Sequence, residues 1–232
     1  MKPRWNQLLP RYIVLIAFIL VVLIPLWGAV MSAFKENTEI ASNPFSLPQN
    51  FTFDNFRHAW TVGNFSIFFK NSVIVTTIVV IASVFLSSLS GYAFGQLPMP
   101  GKKLLFPLML VGYMVPFEAV LIPLYNWLGL LGLRNTYWAL ILPQVGLSVS
   151  FGTLWMSSFF GSAPKELIDA ATIDGANRWQ VLWGILFPLA KPATTTLVVL
   201  IFIWTWNEFL LALVMIQSES MRTLPVGLAF FQ

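Results

Sequence analysis

The sequence has no cysteine and a single histidine, His58. The absence of cysteine excludes disulfides, thiolate metal sites and cysteine nucleophiles, and one histidine leaves few metal-binding or histidine-based catalytic schemes. A nucleotide-binding P-loop needs glycine, four residues and then Gly-Lys-Ser/Thr, whereas the nearest segment, 95–103, has the wrong spacing and no hydroxyl. We therefore predict no catalytic residue, no metal site and no cofactor on this chain.

Charged residues are also scarce. They make up 9% of the 232 residues, against about a quarter in soluble domains, while 57% of the residues are hydrophobic. The net charge of +4 comes from 13 Lys and Arg residues that form no basic stripe, which argues against nucleic-acid binding. The composition predicts a protein whose main solvent is membrane lipid.

Long uncharged runs indicate where the chain crosses the membrane, because a helix needs about 20 apolar residues to span a bilayer. The third of five such runs, 104–133, contains Glu118, and the fifth, 192–216, contains Asn207 and Glu208. A further apolar stretch at 224–231 is too short to span. The sequence predicts an all-α, polytopic transmembrane helix bundle, a single domain over 1–232, with five spans at 12–31, 71–95, 104–133, 137–160 and 192–216.

The distribution of Lys and Arg predicts the orientation, since loops on the cytoplasmic side are enriched in them. Placing the N-terminus inside leaves one sizeable external loop, about 32–70, and one sizeable cytoplasmic loop, about 161–191. The external positions then hold five basic residues and the internal positions hold eight, which are Lys2, Arg4, Arg11, Lys102, Lys103, Lys165, Arg178 and Lys191.

Two runs have unusual interiors. Run three contains Pro107, Gly112, Pro116 and Pro123, and helix breaks survive in lipid only where protein or a water-filled cavity satisfies the freed backbone groups. We therefore expect run three to be irregular and to face the bundle interior. Run two contains small residues that let a second helix approach closely, namely Ser83, Ser87, Ser88, Ser90 and Gly91.

The cytoplasmic loop is predicted to be a helix-turn-helix. Ser162 can cap a helix that starts at Ala163, and Asp174-Gly175 supplies a C-cap where glycine takes the left-handed conformation most easily. A second helix, 178–186, stops at Pro188. Because both helices mix apolar and charged residues, the loop could lie on the membrane surface or insert into a groove on a partner.

This loop resembles the signature loop of binding-protein-dependent ABC permeases. It reads Asp169-Ala170-Ala171, three residues, Gly175, nine residues, then Ile185-Leu186-Phe187-Pro188. The family usually has glutamate where this chain has Asp169 and leucine where it has Phe187. In that family the loop docks on an ATP-binding subunit, so the resemblance implies a coupling role for Asp169, Ala170, Ala171, Asp174, Gly175, Ile185 and Pro188.

Two further stretches resemble the carbohydrate-importing, maltose-type branch of this family, and the resemblance covers nearly the whole chain. They are 115–137, with Gly129-Leu-Leu-Gly-Leu-Arg-Asn-Thr-Tyr137, and Trp204-Thr-Trp-Asn-Glu-Phe209. Permeases of this type have six spans, so we expect the sixth to be missing from a chain that stops at Gln232.

The resemblance also implies partners and a function. It implies a bacterial inner-membrane complex with a second, different permease subunit, two ATP-binding subunits that hold ATP and Mg, and an external solute-binding protein. The complex would import a sugar or oligosaccharide by alternating access driven by ATP hydrolysis on the partner subunits.

An acid in a membrane span is a functional candidate because an ionised side chain is costly there. Glu208 and Asn207, flanked by Trp204 and Trp206, suit a sugar with its hydroxyls and ring faces. Glu118 is a second candidate, together with its neighbours Phe117 and Met114. The alternative role for these polar groups is hydrogen bonding between helices.

A rival function is also open at this point. A proton-coupled secondary transporter or channel could use Glu208 or Glu118 as a relay. The helix-turn-helix argues against this alternative, since a self-contained carrier has no need of a docking lever.

Overall fold

The structure is a computed structural model that describes residues 5–231, with side chains described from Pro10 onward. The chain forms two compact units, which divide between Phe65 and Ser66. The first unit holds the long helix α1 (Trp5–Ala33) and the two short helices α2 (Asn37–Ser42) and α3 (Asp54–Thr61). Both short helices lie within the predicted external loop.

The second unit is a helical bundle that begins with α4 (Phe65–Gln96), six residues earlier than predicted. Its remaining elements are α5 (Lys102–Met114), α6 (Phe117–Leu130), α7 (Tyr137–Gly161), α8 (Lys165–Ile173), α9 (Arg178–Gln180), a π-helical turn (Val181–Leu186), α10 (Phe187–Leu189), α11 (Lys191–Trp206), α12 (Leu210–Met215), a 3₁₀ turn (Glu219–Met221) and α13 (Leu224–Phe230). Every regular element between residues 5 and 231 is therefore helical, as predicted.

Three of the described helices are long and apolar enough to cross a membrane alone: Pro10–Ala33, Phe65–Gln96 and Tyr137–Gly161. Two further spans arise if each of two bent helix pairs counts as one, which brings the number to the predicted five. The pair α5 and α6 is bent by 93°, and the pair Arg178–Leu189 and Lys191–Trp206 is bent by 78°.

Run three is broken, as its prolines predicted, and run five is not the single continuous helix that its composition predicted. Run three breaks at Val115 and Pro116, whereas Pro107 and Pro123 lie inside α5 and α6. Because α5 buries no side chain within this chain, the expectation that all of run three faces the bundle interior is not met here. Run five is helical only to Trp206, then breaks before the short helix α12.

The core of the second unit lies between α4, α7 and α11, where large apolar side chains are fully buried: Val79, Leu140, Met156, Phe160, Leu197 and Ile201. The predicted close approach of a helix to run two is confirmed, and the approaching helix is α7. A Cβ on Gly91 would lie 2.5 Å from the Cβ of Met156. The hydroxyls of Ser90 and Thr153 form a hydrogen bond of 2.6 Å across the same contact.

The side-chain amides of Asn71 and Asn135 form hydrogen bonds that stabilise one end of this bundle. The Asn71 Nδ2 group donates to the carbonyls of Ser220 and Arg222 at 2.9 and 2.8 Å, and its Oδ1 accepts from the Tyr137 hydroxyl at 2.7 Å. Asn135 Oδ1 accepts from the backbone N–H and the hydroxyl of Ser218, both at 2.9 Å. Asn135 and Tyr137 belong to the stretch that carried the carbohydrate-branch resemblance, and these bonds give both residues a structural role.

Candidate coupling loop and translocation cleft

The first helix of the cytoplasmic loop starts two residues later than predicted. Helix α8 begins at Lys165 with Pro164 as its N-cap, and the Ser162 hydroxyl instead donates to the Phe159 carbonyl at 2.8 Å at the end of α7. The reason is local, because a proline disfavours helical backbone in the residue before it and so excludes Ala163 from the helix. Glu166 lies in the first turn, where the positive end of the helix dipole stabilises a negative charge.

The predicted turn at Gly175 is confirmed. Gly175 has φ +84°, in the left-handed region, and its N–H donates to the Thr172 carbonyl at 3.1 Å. The N–H of Ala176 donates to the Ala171 carbonyl at 2.9 Å, which completes a Schellman motif. This motif fixes the direction in which the chain leaves α8.

Sequence reasoning missed the cap of the second helix. The Asn177 Oδ1 accepts from the backbone N–H groups of Trp179 and Gln180, each at 3.0 Å, and the Gln180 Oε1 accepts from the Asn177 N–H at 2.8 Å. The pattern Asn-x-x-Gln was a readable signal for this capping box. Because the cap follows the Schellman motif directly, the whole turn between the two helices is hydrogen-bonded.

The second helix runs past the predicted stop at Pro188 and ends at Leu189. It contains a π-helical turn, Val181–Leu186, in which the Phe187 N–H donates to the Leu182 carbonyl. In a regular α-helix the ring of Pro188 would clash with the carbonyl of Gly184, and the wider turn accommodates it. The chain then bends by 78° into α11.

The loop is anchored on one side and exposed on the other. Val181, Leu182 and Leu186 are buried, and the Trp183 ring stacks on Phe85 of α4 at 5.9 Å. The predicted coupling residues Ala171 and Ile185 are buried and half-buried, respectively. The exposed apolar side chains are Leu167, Ile173 and Trp179, and Lys165 and Glu166 are exposed charged residues. The remaining predicted coupling residues are also exposed: Asp169, Ala170, Asp174, Gly175 and Pro188.

A separate cleft of about 170 Å³ lies among α5, α7 and the end of α11. The Phe151 ring packs edge-to-face on Trp204 at 5.0 Å and against Tyr113 at 6.0 Å, so one wall is aromatic. Polar groups complete the lining, which consists of Tyr113, Gln144, Leu147, Ser148, Phe151, Trp204, Thr205 and Glu208. Apolar walls with a few polar groups are typical of small-molecule sites.

Two predicted pathway residues, Trp204 and Glu208, line this cleft. Glu208 is half-buried, and its Oε1 accepts from the Leu211 N–H at 2.6 Å, so the carboxylate also caps the start of α12. Sequence reasoning missed Tyr113, Gln144 and Ser148, although uncharged polar residues in apolar runs were an available signal.

The other predicted pathway residues lie elsewhere. Trp206 packs against Phe69 and Phe202, and the Asn207 Nδ2 group donates to the Ile203 carbonyl of its own helix at 2.8 Å. Around the bend of run three, Met114 ends α5, and Phe117 and Glu118 begin α6. These residues do not line the cleft, and their part in a pathway stays a prediction.

Comparisons with known proteins place the chain among transport proteins. The family described as binding-protein-dependent transport system inner membrane component matches residues 83–230. The probable ABC transporter permease protein YurM of Bacillus subtilis (strain 168) is 38% identical over 221 residues, which are 95% of this chain and 73% of that protein.

Two further relatives are named for carbohydrate transport. The arabinooligosaccharides transport system permease protein AraQ of Halalkalibacterium halodurans is 35% identical over 98% of this chain and 82% of its own length. The trehalose/maltose transport system permease protein MalG of Thermococcus litoralis is 34% identical over 98% of this chain and 83% of its own length.

The fold also matches a solved structure, that of a bacterial ABC transporter involved in the import of the acidic polysaccharide alginate. The match has a TM-score of 0.82 at 22% identity and covers 99% of this chain and 81% of the other. The predicted type I importer permease fold is thereby confirmed. The family match over residues 83–230 and the relatives matched over at least 95% of this chain indicate the same family. The chain belongs to the family of inner membrane components of binding-protein-dependent transport systems.

Proposed function

We propose that this protein is a permease subunit of an ABC importer that moves a sugar or oligosaccharide inward by alternating access. The observation that carries the proposal is the loop 165–189, which is capped at its turn, anchored to α4 through Trp183 and exposed on its other side. A rigid, exposed lever attached to a membrane helix can convert the movement of a docked partner into a movement of the bundle.

The proposed partner at the lever is an ATP-binding subunit. The exposed apolar side chains of Leu167, Ile173 and Trp179 suit a hydrophobic groove, and the surrounding charges, including Asp169, suit a polar rim. ATP and Mg would be held by two such subunits, so this chain would not itself be an ATPase. A second permease subunit, different from this chain, and an external solute-binding protein would complete the complex.

The proposed substrate class rests on the relatives named for trehalose/maltose and arabinooligosaccharide transport and on the cleft. An aromatic face such as that of Trp204 suits the apolar face of a sugar ring, while Gln144, Ser148 and Glu208 can exchange hydrogen bonds with hydroxyls. A proton-coupled secondary transporter or channel is not favoured, because the family works with binding proteins.

The protein is a multi-pass inner-membrane protein, and we propose that its N-terminus is cytoplasmic. The Lys and Arg distribution supports this orientation. Two of the basic residues on which it depends, Lys2 and Arg4, lie outside the described residues. In this orientation the loop 165–189 faces the cytoplasm, where the ATP-binding subunits would be.

Reconstitution tests the function. Proteoliposomes that contain this chain with its partner subunits and solute-binding protein should accumulate a radiolabelled oligosaccharide only when ATP is enclosed on the side of the ATP-binding subunits. Proteoliposomes that contain this chain alone should not transport, with or without a proton gradient. Proton-driven uptake by the chain alone would refute the proposal and favour a secondary transporter.

The cleft gives a second prediction. Glu208→Gln keeps an oxygen that can accept from the Leu211 N–H but removes the charge from the cleft. We expect solute transport to fall roughly tenfold, the effect of losing one hydrogen bond to a charged group, while the complex assembles and basal ATP hydrolysis persists.

Thermal stability, measured in the same preparation, separates this role from a purely structural one. If Glu208 only holds α12, Glu208→Gln, which keeps the accepting oxygen, should leave both stability and transport close to wild type, and any loss of transport should come with an equal loss of stability. The comparison variant is Asn207→Ala, since Asn207 bonds only within its own helix in the described contacts. Transport loss in that variant with intact assembly would add Asn207 to the pathway, whereas unchanged transport in Glu208→Gln would remove Glu208 from it.

A further inference from the structure

The segment 43–62 of the first unit is fastened onto the C-terminal end of α1. The Thr52 N–H donates to the Phe34 carbonyl at 3.1 Å. The Asn55 Nδ2 group donates at 3.2 Å to the carbonyl of Ala33, which is among the carbonyls left free at the end of α1, and at 2.7 Å to the carbonyl of Lys35 just beyond it. The helix α3 is thus held at the level of the end of α1.

The start of this segment folds back along the side of α1. The Trp27 Nε1 group donates to the Phe45 carbonyl at 3.0 Å, and a Cβ on Gly28 would lie 2.7 Å from the Phe45 ring. Phe45 therefore packs on Gly28, about one and a half turns before the end of α1 at Ala33.

The depth of this contact follows from the length of α1. At about 1.5 Å per residue, Gly28 lies roughly 26 Å from Arg11, inside an apolar layer about 30 Å thick that starts at Arg11. Phe34 lies roughly 35 Å from Arg11, in the interfacial layer beyond it. Segment 43–62 would consequently extend from the edge of the apolar layer to the headgroups.

Residues 43–45, where the chain folds back along α1, have backbone carbonyls that are hydrogen-bonded by side chains, as a medium without water requires. Of these three consecutive carbonyls, those of residues 43 and 45 accept hydrogen bonds from side chains. The buried Lys35 Nζ donates to the Asn43 carbonyl at 2.7 Å and the Trp27 Nε1 group donates to the Phe45 carbonyl at 3.0 Å, while the Ser32 hydroxyl lies 3.5 Å from the Pro44 carbonyl. In water such carbonyls need no protein donor, whereas in lipid each unsatisfied one is costly.

Large apolar side chains on the same segment are exposed. The Phe34 ring packs against Phe51, Phe53 and Phe56 at 5.3 to 5.5 Å, yet Phe53 is still 68% exposed and Leu47 is 67% exposed. Trp and Tyr are enriched where a membrane span meets water, and Phe, Leu and Trp form the apolar face of segments that lie in this interface. The large apolar side chains that this segment exposes are Phe45, Leu47, Phe51, Phe53, Phe56, Trp60 and Val62.

We propose that segment 43–62 is an interfacial anchor, embedded in the lipid bilayer at the C-terminal end of α1. The occupant of its apolar surface is phospholipid, since the segment is continuous with a membrane span and its deepest carbonyls are satisfied internally. Phe45 and Leu47 reach the acyl chains, and one face of α3 lies along the headgroup boundary. The anchor holds the end of α1 at a fixed depth.

The absence of cysteine from the chain makes a depth measurement direct. Single-cysteine variants Phe45→Cys, Leu47→Cys and Phe53→Cys would be labelled with a small fluorophore in the complex assembled with cysteine-free partners. The labelled complexes would be reconstituted in vesicles with lipids brominated on the acyl chain. We expect fluorescence at all three positions to fall by roughly twofold, because interfacial helices bury their apolar face about 5–10 Å into the bilayer.

The matched control is His58→Cys on α3, about 160° around the helix from the exposed Phe56. Its label should be quenched much less by brominated lipid and should remain accessible to aqueous iodide. Equal quenching at His58, or none at Leu47 and Phe53, would overturn the proposal. Shielding of Leu47 and Phe53 from iodide only after the solute-binding protein is added would overturn it too, by assigning the surface to that protein. None of these readouts depends on transport.

Discussion

Replacing Gly175 with valine is expected to uncouple ATP hydrolysis from transport in the assembled complex. Gly175 has φ +84°, and a left-handed backbone costs a residue with a Cβ about 1–2 kcal/mol, more for a β-branched one. A Cβ at this position would have no atom within 4 Å, so the penalty is conformational and not steric.

The strain can be relieved only by changing the turn, and the turn sets the angle between α8 and the second helix. A changed angle misplaces one of the two docking helices when the other is seated. We expect solute transport to fall at least about tenfold, the effect of roughly 1.4 kcal/mol of lost docking energy. The complex should still insert into the membrane, because the buried side of the loop is unaltered.

The control is Gly175→Asn, since asparagine adopts left-handed backbone at much lower cost. This variant should transport at close to the wild-type rate, and both variants should be compared for substrate-stimulated ATP hydrolysis. If the valine variant also couples normally, the loop is not the lever. If both variants fail equally, the side chain at this position and not its backbone angle is responsible.

Replacing Gly152 with alanine is expected to destabilise the protein, although alanine is the better helix former. A Cβ on Gly152 would overlap the Ser87 hydroxyl and lie 2.7 Å from the Ser87 Cβ, across the contact between α7 and α4. Rotation of the hydroxyl cannot remove the second overlap, so the two helices must separate. Overpacking of this kind costs about 1–3 kcal/mol.

The same helix offers a matched control. Gly146→Ala places a Cβ where no atom lies within 4 Å, so this variant should keep or slightly raise the melting temperature. The double variant Ser87→Gly with Gly152→Ala should recover part of the loss, because it removes both overlapping atoms. Melting of the detergent-solubilised complex measures all three, and a neutral Gly152→Ala would show that the helices separate without cost.

The turn of the coupling loop was predictable because its causes lie within a few residues of one another. The left-handed backbone of Gly175 lets its own N–H donate to the Thr172 carbonyl and the N–H of Ala176 donate to the Ala171 carbonyl, and a short stretch of sequence contains everything this requires. The start of α8 was mispredicted for an equally local reason, since the restriction that Pro164 places on Ala163 outweighs a possible cap at Ser162.

Proline positions in run three were not sufficient to locate its break. Pro107, Pro116 and Pro123 all carry the same backbone restrictions, yet only Pro116 coincides with a bend. A proline inside a membrane helix is tolerated when surrounding groups satisfy the freed carbonyl, and those groups come from elsewhere in the chain or from other chains. Sequence could therefore predict an irregular segment but not its 93° bend.

By itself the sequence determined that the protein is helical and membrane-embedded, because a bilayer sorts segments by length and polarity alone. It also determined the coupling turn, through local backbone geometry. Only the tertiary structure decided that Trp204 lines a cleft while Trp206, two residues later, packs on Phe69 and Phe202. Two residues in a helix differ by about 200° in direction, so their surroundings depend on which helices pack on each side.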